Sequence, residues 1–242
     1  MNFEYYKRVI FSTHAGSHLY GTSTPESDQD FRGVIIPPVS YFFGLDKFEQ
    51  CEDAESLGFA AGTDVCYFDI RKFVQLAAKG NPNILHLLWT NEPQTSFGQV
   101  LQDMRQHFIT KAIIKPHIGM AIAHMAKLEH PGRKCGTKGK VLIEKFGYNT
   151  KDAAVVLMTL DCCIELLTNQ RITFPRPDAK FLLAVRNGQY ALGDVLATAR
   201  NLLNVIKRLE DTLSLPKTPN RDLINRELEF LVRYYLQWKG EL

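Results

Sequence analysis

Apolar and polar positions change their rhythm midway along the chain. In the first half, three short runs rich in β-branched and aromatic residues, Arg8 to Thr13, Asp30 to Ile36 and Thr63 to Phe68, predict strands. Gly21-Thr22-Ser23-Thr24-Pro25 and Pro37-Pro38 separate them, because proline fixes φ and removes a ladder donor. After the third run, Asp69 is placed to N-cap a helix whose apolar stripe is Ile70, Phe73, Val74 and Ala77, stopping near Gly80-Asn81-Pro82. A further helix is predicted over Ile84 to Trp89.

From about Pro116 onward the period becomes helical. Ile118, Ile122, Met125 and Ala126 form one expected stripe, and Val156, Leu157, Leu160, Ile164 and Leu167 another. Leu192 to Leu213 and Arg221 to Trp238 predict two more helices, kept apart by the stiff linker Leu215-Pro216-Lys217-Thr218-Pro219. The expected fold class is therefore α+β: a mixed β-sheet with flanking helices in residues 1–115, then an all-helical C-terminal domain over 116–242.

Composition narrows the setting. A chain of 242 residues with 45% hydrophobic content can bury a core without staples. The five cysteines, Cys51, Cys66, Cys135, Cys162 and Cys163, are odd in number and contain no C-x-x-C, which argues against an extracellular disulfide framework. Adjacent Cys162 and Cys163 point about 100° apart on a helix and read as buried core. With no signal-like start and no apolar run near the roughly 20 residues of a membrane span, a cytoplasmic location without membrane contact is expected.

The net charge is only +3, but it is unevenly spread. Residues 1–60 are acidic, whereas residues 127–151 set Lys127, Arg133, Lys134, Lys138, Lys140, Lys145 and Lys151 against Glu129 and Glu144 alone. The basic stretch, with Phe146 and Tyr148 beside it, could be a solvated surface or could meet nucleic-acid phosphates and bases. No sequence-reading nucleic-acid motif accompanies it.

The chemistry concentrates in residues 16–34. If Asp28 enters a strand with Asp30, their side chains share one face about 6.6 Å apart along the chain. Such a pair suits two hard cations held roughly 3.5–4 Å apart across a phosphoryl displacement. Gly16-Ser17 follows the first strand, where a residue lacking a side chain lets backbone N–H groups approach a triphosphate. Asp64, opening the third run, is the expected third carboxylate, and Asp69 is its competitor with an N-cap role of its own. Each element alone has a plainer reading: Gly-Ser is a common turn, Asp-x-Asp a common surface pair, and Arg32 a solvent-facing cation. The histidines show neither H-E-x-x-H nor finger-like cysteine partners, so zinc is not expected.

Gly16-Ser17, Tyr20-Gly21, Ser27-Asp28-Gln29-Asp30 and Arg32-Gly33-Val34 together resemble the nucleotidyltransferase superfamily that contains DNA polymerase β. More narrowly, the chain resembles the RNA repair pathway DNA polymerase β family of bacteria and phages. That likeness runs on through Gly80-Asn81-Pro82-Asn83, Gly147-Tyr148-Asn149-Thr150-Lys151, Phe174-Pro175, Arg186-Asn187-Gly188 and Leu215-Pro216. It implies a nucleotidyltransferase-type sheet in the first domain. It further implies that Gly16, Ser17 and Arg32 meet the nucleotide, that Asp28, Asp30 and Asp64 hold Mg²⁺ or Mn²⁺, and that Lys151 and Arg186 contribute nucleotide-binding charge. The chain departs from the family pattern at His86, where a glutamate is common, and at Val155 and Met158, where a histidine and an arginine are common. The expected activity is transfer of a nucleoside monophosphate from an NTP or dNTP to a hydroxyl of RNA, at an RNA or tRNA 3′ end. Modification of a protein hydroxyl and catalytically idle nucleotide or RNA binding are the alternatives.

Overall fold

Alternating β-branched and aromatic residues do form the three expected strands, and a fourth, two-residue strand joins them. In a computed structural model of the chain, residues 3–25, 27–130 and 136–242 are described; Glu26 and the Arg133, Lys134 and Cys135 of the basic stretch lie outside them. The first unit comprises residues 1–79, 83–108 and 219–242. It runs β1 (Val9–His14), α1 (Gly16–Tyr20), β2 (Asp30–Ile35), α2 (Ser40–Phe43), β3 (Gln50–Cys51), β4 (Asp64–Asp69), α3 (Ile70–Ala78), α4 (Pro82–Leu85) and α5 (Ser96–Asp103). The strands lie in the order β1-β2-β4-β3, with β2 and β4 parallel and the other two pairings antiparallel.

The sheet is packed on both faces. On one, Tyr67 lies across Gly33 so closely that a Cβ there would sit 2.2 Å from the ring, and its hydroxyl pairs with Ser12 Oγ at 2.5 Å. Ile35, Leu57 and Val65 complete that core beneath Phe31, Phe48 and Phe59. On the other, Phe73 of α3 packs against Phe11 and Phe68, with ring centroids 6.1 and 6.4 Å apart. The expected α3 stripe is wholly buried, and Asp69 caps the helix by accepting the Arg71 N–H at 2.7 Å. The expected helix over Ile84 to Trp89 is divided: α4 ends at Leu85 and a 3-10 turn carries His86–Trp89.

β1 is an edge strand, and its open side is covered by side chains. Gln94 accepts the Ser12 N–H at 3.0 Å and donates to the Ser12 carbonyl at 2.9 Å, Glu92 accepts the His14 N–H at 3.0 Å, and Thr95 donates to the Ile10 carbonyl at 2.5 Å. Backbone groups that would otherwise template another strand are thus satisfied.

The second unit, residues 80–82 and 109–218, is helical: α6 (Ile114–Glu129), α7 (Thr137–Phe146), α8 (Thr150–Asn169), α9 (Ala179–Arg186) and α10 (Leu192–Thr212). The last helix, α11 (Arg221–Trp238), belongs to the first unit instead. This compact division differs from the linear one at residue 115. Leu231, Tyr235 and Leu236 of α11 are buried, with Phe97 of α5 edge-on to Tyr235 at 5.0 Å, and Arg8 pairs with Glu241 just beyond the helix.

Helices α6, α7, α9 and α10 pack around α8. Cys162 and Cys163 are fully buried there; burial pushes both thiols up, Cys163 to about 12. Buried Arg176 gathers Asp161, Glu165 and Asp178. The expected α6 stripe needs correction. Ile122 and Ala126 are exposed, and the buried face runs through Ile114, His117, Ala121, Met125 and Leu128. His117 can occupy that face because its Nδ1–H donates to the Ile113 carbonyl at 2.7 Å. The basic stretch also holds more order than a loop: α7 exposes Lys138, Lys140 and Lys145, while Tyr148 is buried with its hydroxyl on the Tyr190 carbonyl at 2.7 Å. Tyr148 therefore offers no stacking surface.

Burial lowers the His117 pKa from 6.5 to about 4. As pH falls, the unfolded chain takes up this proton first, so stability fully present above pH 6.5 is lost progressively toward pH 4. The expected loss from this group is up to about 3 kcal/mol. His117→Asn, whose amide can keep the bond to Ile113, should flatten that part of the profile in urea unfolding, and equal slopes in both chains would refute the assignment.

Candidate active site

Chain reversal after β1 builds the site. Gly16 adopts φ of 55°, in the region that favours glycine, and Ala15 donates its N–H to the Asp30 carbonyl at 2.8 Å. A Cβ on Gly16 would lie 2.7 Å from Asp30 Oδ2, so the absent side chain is what lets that carboxylate sit against the turn. Gly21, at φ 73°, ends α1, and Thr22 donates its N–H to the Ser17 carbonyl at 2.8 Å. Ser17 is half-buried on the first turn of α1.

Asp30 opens β2 and is the register partner of Asp64, which opens the parallel β4. Residues paired in this way share a sheet face on strands about 4.8 Å apart. Arg32, two residues along the same face, donates from Nη1 to Asp64 Oδ1 at 3.0 Å and to the Phe31 carbonyl at 2.8 Å. Asp28 departs from the strand expectation: β2 begins at Asp30, and Asp28 is exposed in the preceding loop. A Thr24–Ser27 turn shapes that loop through Ser27 N–H to Thr24 O and Thr24 N–H to Ser27 Oγ, both 2.9 Å.

Asp69 is at the other end of β4, in register with Ile35, five residues or roughly 17 Å from the level of Asp64. It is 1% exposed, and the Arg71 guanidinium holds its carboxylate at 2.6 to 3.2 Å. Of the two competitors, only Asp64 neighbours Asp30.

Gly16, Ser17, Asp28, Asp30, Arg32 and Asp64 thus come from one corner of the first unit, and Lys151 and Arg186 belong to the second. Lys151 is exposed on the first turn of α8, its N–H accepted by Asn149 at 3.1 Å. Arg186 is half-buried on the last turn of α9, where burial lowers its pKa.

Two arrangements were not foreseen. Glu92 Oε1 meets both the His14 N–H and Nδ1 at 3.0 Å, and the His14 ring lies 4.4 Å from Phe31 and 5.5 Å from His18, all at the end of β1 that delivers Gly16. Fully buried His86 shares a 2.9 Å hydrogen bond between its Nδ1 and Tyr20 Oη, joining the departure position to the tyrosine of the Tyr-Gly turn. Partners 78 and 66 residues apart leave no local signal.

Among the described residues, no three His, Cys, Asp or Glu side chains are drawn together closely enough to hold a metal ion. The donor set nonetheless suits a hard cation. Asp28, Asp30 and Asp64 offer oxygen only, and Mg²⁺ commonly takes one or two carboxylates and completes its shell with water and substrate phosphate.

A mixed sheet with aspartates opening adjacent parallel strands beside a Gly-Ser turn fits the class of polymerase-β-like nucleotidyltransferases. The chain belongs to the RNA repair pathway DNA polymerase beta family, whose model matches residues 2–231. It is 28% identical over 145 residues to an uncharacterized 38.9 kDa protein of the nrdC-mobD intergenic region of Enterobacteria phage T4, covering 56% of this chain and 43% of that protein. It is 25% identical over 118 residues to the uncharacterized protein YcgL of Bacillus subtilis strain 168, covering 47% of this chain and 44% of the relative. The chain therefore spans less than half the length of these relatives. No solved structure matches it, and no helix among the described residues is long and apolar enough to cross a membrane.

The two aspartates of β4 should respond differently to substitution. Asp64→Asn removes an exposed pairing with Arg32 and should change stability by less than about 1 kcal/mol. Asp69→Ala removes a buried cap and strands Arg71, and should cost about 2 kcal/mol or more. Denaturant unfolding of both variants checks this, and a stability loss as large for Asp64→Asn would contradict it.

Proposed function

We propose that the chain is a metal-dependent nucleotidyltransferase that moves a nucleoside monophosphate from an NTP or dNTP to a hydroxyl acceptor, an RNA or tRNA 3′ end, with release of pyrophosphate. The observation that carries this reading is the register of Asp30 with Asp64 on parallel strands, with Gly16 cleared against Asp30. In this reading Asp28, Asp30 and Asp64 hold Mg²⁺ or Mn²⁺. The cation, when bound, neutralises triphosphate charge and lowers the barrier to displacement at the α-phosphorus. The Gly16-Ser17 turn offers backbone N–H groups and a hydroxyl to the phosphates. Asp64 takes the proton of the acceptor hydroxyl as its oxygen bonds to the α-phosphorus and the bond to pyrophosphate breaks. Arg32 holds Asp64 before substrate arrives and then faces phosphate oxygens. Exposed Lys138, Lys140 and Lys145 of α7 support an RNA acceptor, since phosphate contacts supply most sequence-independent affinity.

Asp28→Asn and Asp30→Asn should each lower transfer on the order of 10³-fold or more while leaving the fold intact, because they remove ligands and mutual repulsion together. The check is incorporation of label from each α-³²P NTP and dNTP, with Mg²⁺ or Mn²⁺, into tRNA, oligonucleotides or protein, the double variant serving as blank. Label in RNA supports the reading and names the nucleotide. Label in protein would replace the acceptor, and a wild-type rate in either variant would sink the assignment.

A Lys138→Ala/Lys140→Ala double variant should bind oligoribonucleotides more weakly and with a log K against log salt slope shallower by about 1 to 2. An unchanged slope returns α7 to an ordinary solvated surface.

A further inference from the structure

Strand β1 ends on His14, and Ala15, in extended backbone, carries the chain on to Gly16, so the α-carbons of His14 and Gly16 stand about 6.6 Å apart. The imidazole is held on three sides. Glu92 Oε1 meets its Nδ1 at 3.0 Å, the ring of Phe31, one residue from Asp30, lies at 4.4 Å, and the ring of His18, one residue from Ser17, at 5.5 Å. The His14 side chain is nevertheless 33% exposed. The backbone does not require this ring, because Glu92 already satisfies the open edge of β1 through the His14 N–H. His18 Nε2 is shielded from solvent and has no hydrogen-bond partner among the described residues, a rare state for a polar atom and one that points to a ligand beside it.

We propose that His14 is the general acid of the transfer reaction and gives the proton of its Nε2 to the departing pyrophosphate, a role that rests on the proposed function. The displacement has two ends. Asp64 is assigned to the acceptor proton, while the bridging oxygen that leaves the α-phosphorus gains negative charge that a proton donor relieves. The sheet keeps these tasks apart. His14 and its register partner Phe31 share one face, whereas Asp30, Arg32 and Asp64 share the other. Attacking and leaving oxygens lie roughly in line, on opposite sides of the phosphorus, and the Gly16-Ser17 turn follows β1 at the end of the sheet where the two faces meet. Arg32 cannot take the part, since it is engaged with Asp64 and a guanidinium does not release its proton. In the imidazolium both ring nitrogens donate: Glu92 takes Nδ1–H, turns Nε2 outward and balances the charge, as the carboxylate of a carboxylate–imidazole dyad does. As the acceptor oxygen bonds to the α-phosphorus, the bond to the bridging oxygen breaks. That oxygen keeps the electron pair and takes the Nε2 proton, and the neutral imidazole regains a proton from water.

The test compares the full chain with His14→Asn, whose amide can keep the bond to Glu92, on β,γ-methylene and β,γ-difluoromethylene analogues of the nucleotide that the wild-type chain incorporates. The methylene analogue departs as the more basic group and needs the acid more. His14→Asn should lower kcat about 10²-fold with it and only about 10-fold with the difluoromethylene analogue, with KM within about 2-fold and unchanged circular dichroism. Glu92→Gln, a change at a positioning residue, should lower kcat less and keep the same order of the two analogues. Equal losses with both analogues overturn the proposal, because a residue that only shapes the turn is blind to leaving-group basicity. A raised KM with unchanged kcat overturns it too and makes His14 a phosphate contact. A wild-type chain that transfers no nucleotide overturns the proposed function and this role together, whereas transfer that is indifferent to His14→Asn overturns this role alone.

Discussion

Two carboxylates held at the same level of adjacent parallel strands repel each other, and much of the first unit is arranged around that constraint. Asp30 and Asp64 are brought together by strand register, which cannot slip by one residue without turning every side chain of the strand to the opposite face. Phe11, Val34 and Phe68 on one face and Ile35, Val65 and Tyr67 on the other fix that register through burial. Core packing therefore imposes a juxtaposition that electrostatics alone would oppose. Arg32 supplies a counter-charge, pairing with Asp64 from the same face. Partial exposure moderates the remaining repulsion, since water screens charges at the sheet edge far better than in the core.

The same corner depends on how β1 ends. Its outer edge is held by Glu92, Gln94 and Thr95 rather than by another strand, and Glu92 grips both the backbone and the ring of His14, two residues before Gly16. A turn at positive φ costs conformational freedom unless its flanks are fixed. Here the Ala15 bond to Asp30 fixes one flank, and the Thr22 bond to Ser17 closes the other. Backbone and carboxylate are consequently positioned by the same few contacts, so a change that loosens Glu92 would disturb the Gly16-Ser17 turn before it disturbed the core.

What could be read from the sequence was what is local. The strands, the Asp69 cap and the stripe on α3 follow from period and capping chemistry within a dozen residues, and so do the ends of α11. The N-cap reading of Asp69 was legible because capping chemistry is local, and the structure adds its pairing with Arg71. Long-range features were not legible. The return of α11 to the first unit depends on Phe97 and Arg8, more than a hundred residues away in sequence. The rotated face of α6 turns on a buried histidine, which a hydrophobicity pattern counts as polar, although its bond to Ile113 satisfies one ring nitrogen. Helix α7 was hidden by Gly136 and Gly139 and by its lysines, and it buries none of its residues fully.

Position 86 shows how a long-range bond helps to hold the helix that follows the Gly16 turn. The imidazole of His86 is wholly buried and bonded to Tyr20. A ring nitrogen of imidazole and a phenol hydroxyl can each donate or accept, so the pair can form with either tautomer. The contact ties the end of α1 to the 3-10 turn His86–Trp89. Position 86 therefore bears on how α1 is held, through a bond between residues 66 apart in sequence.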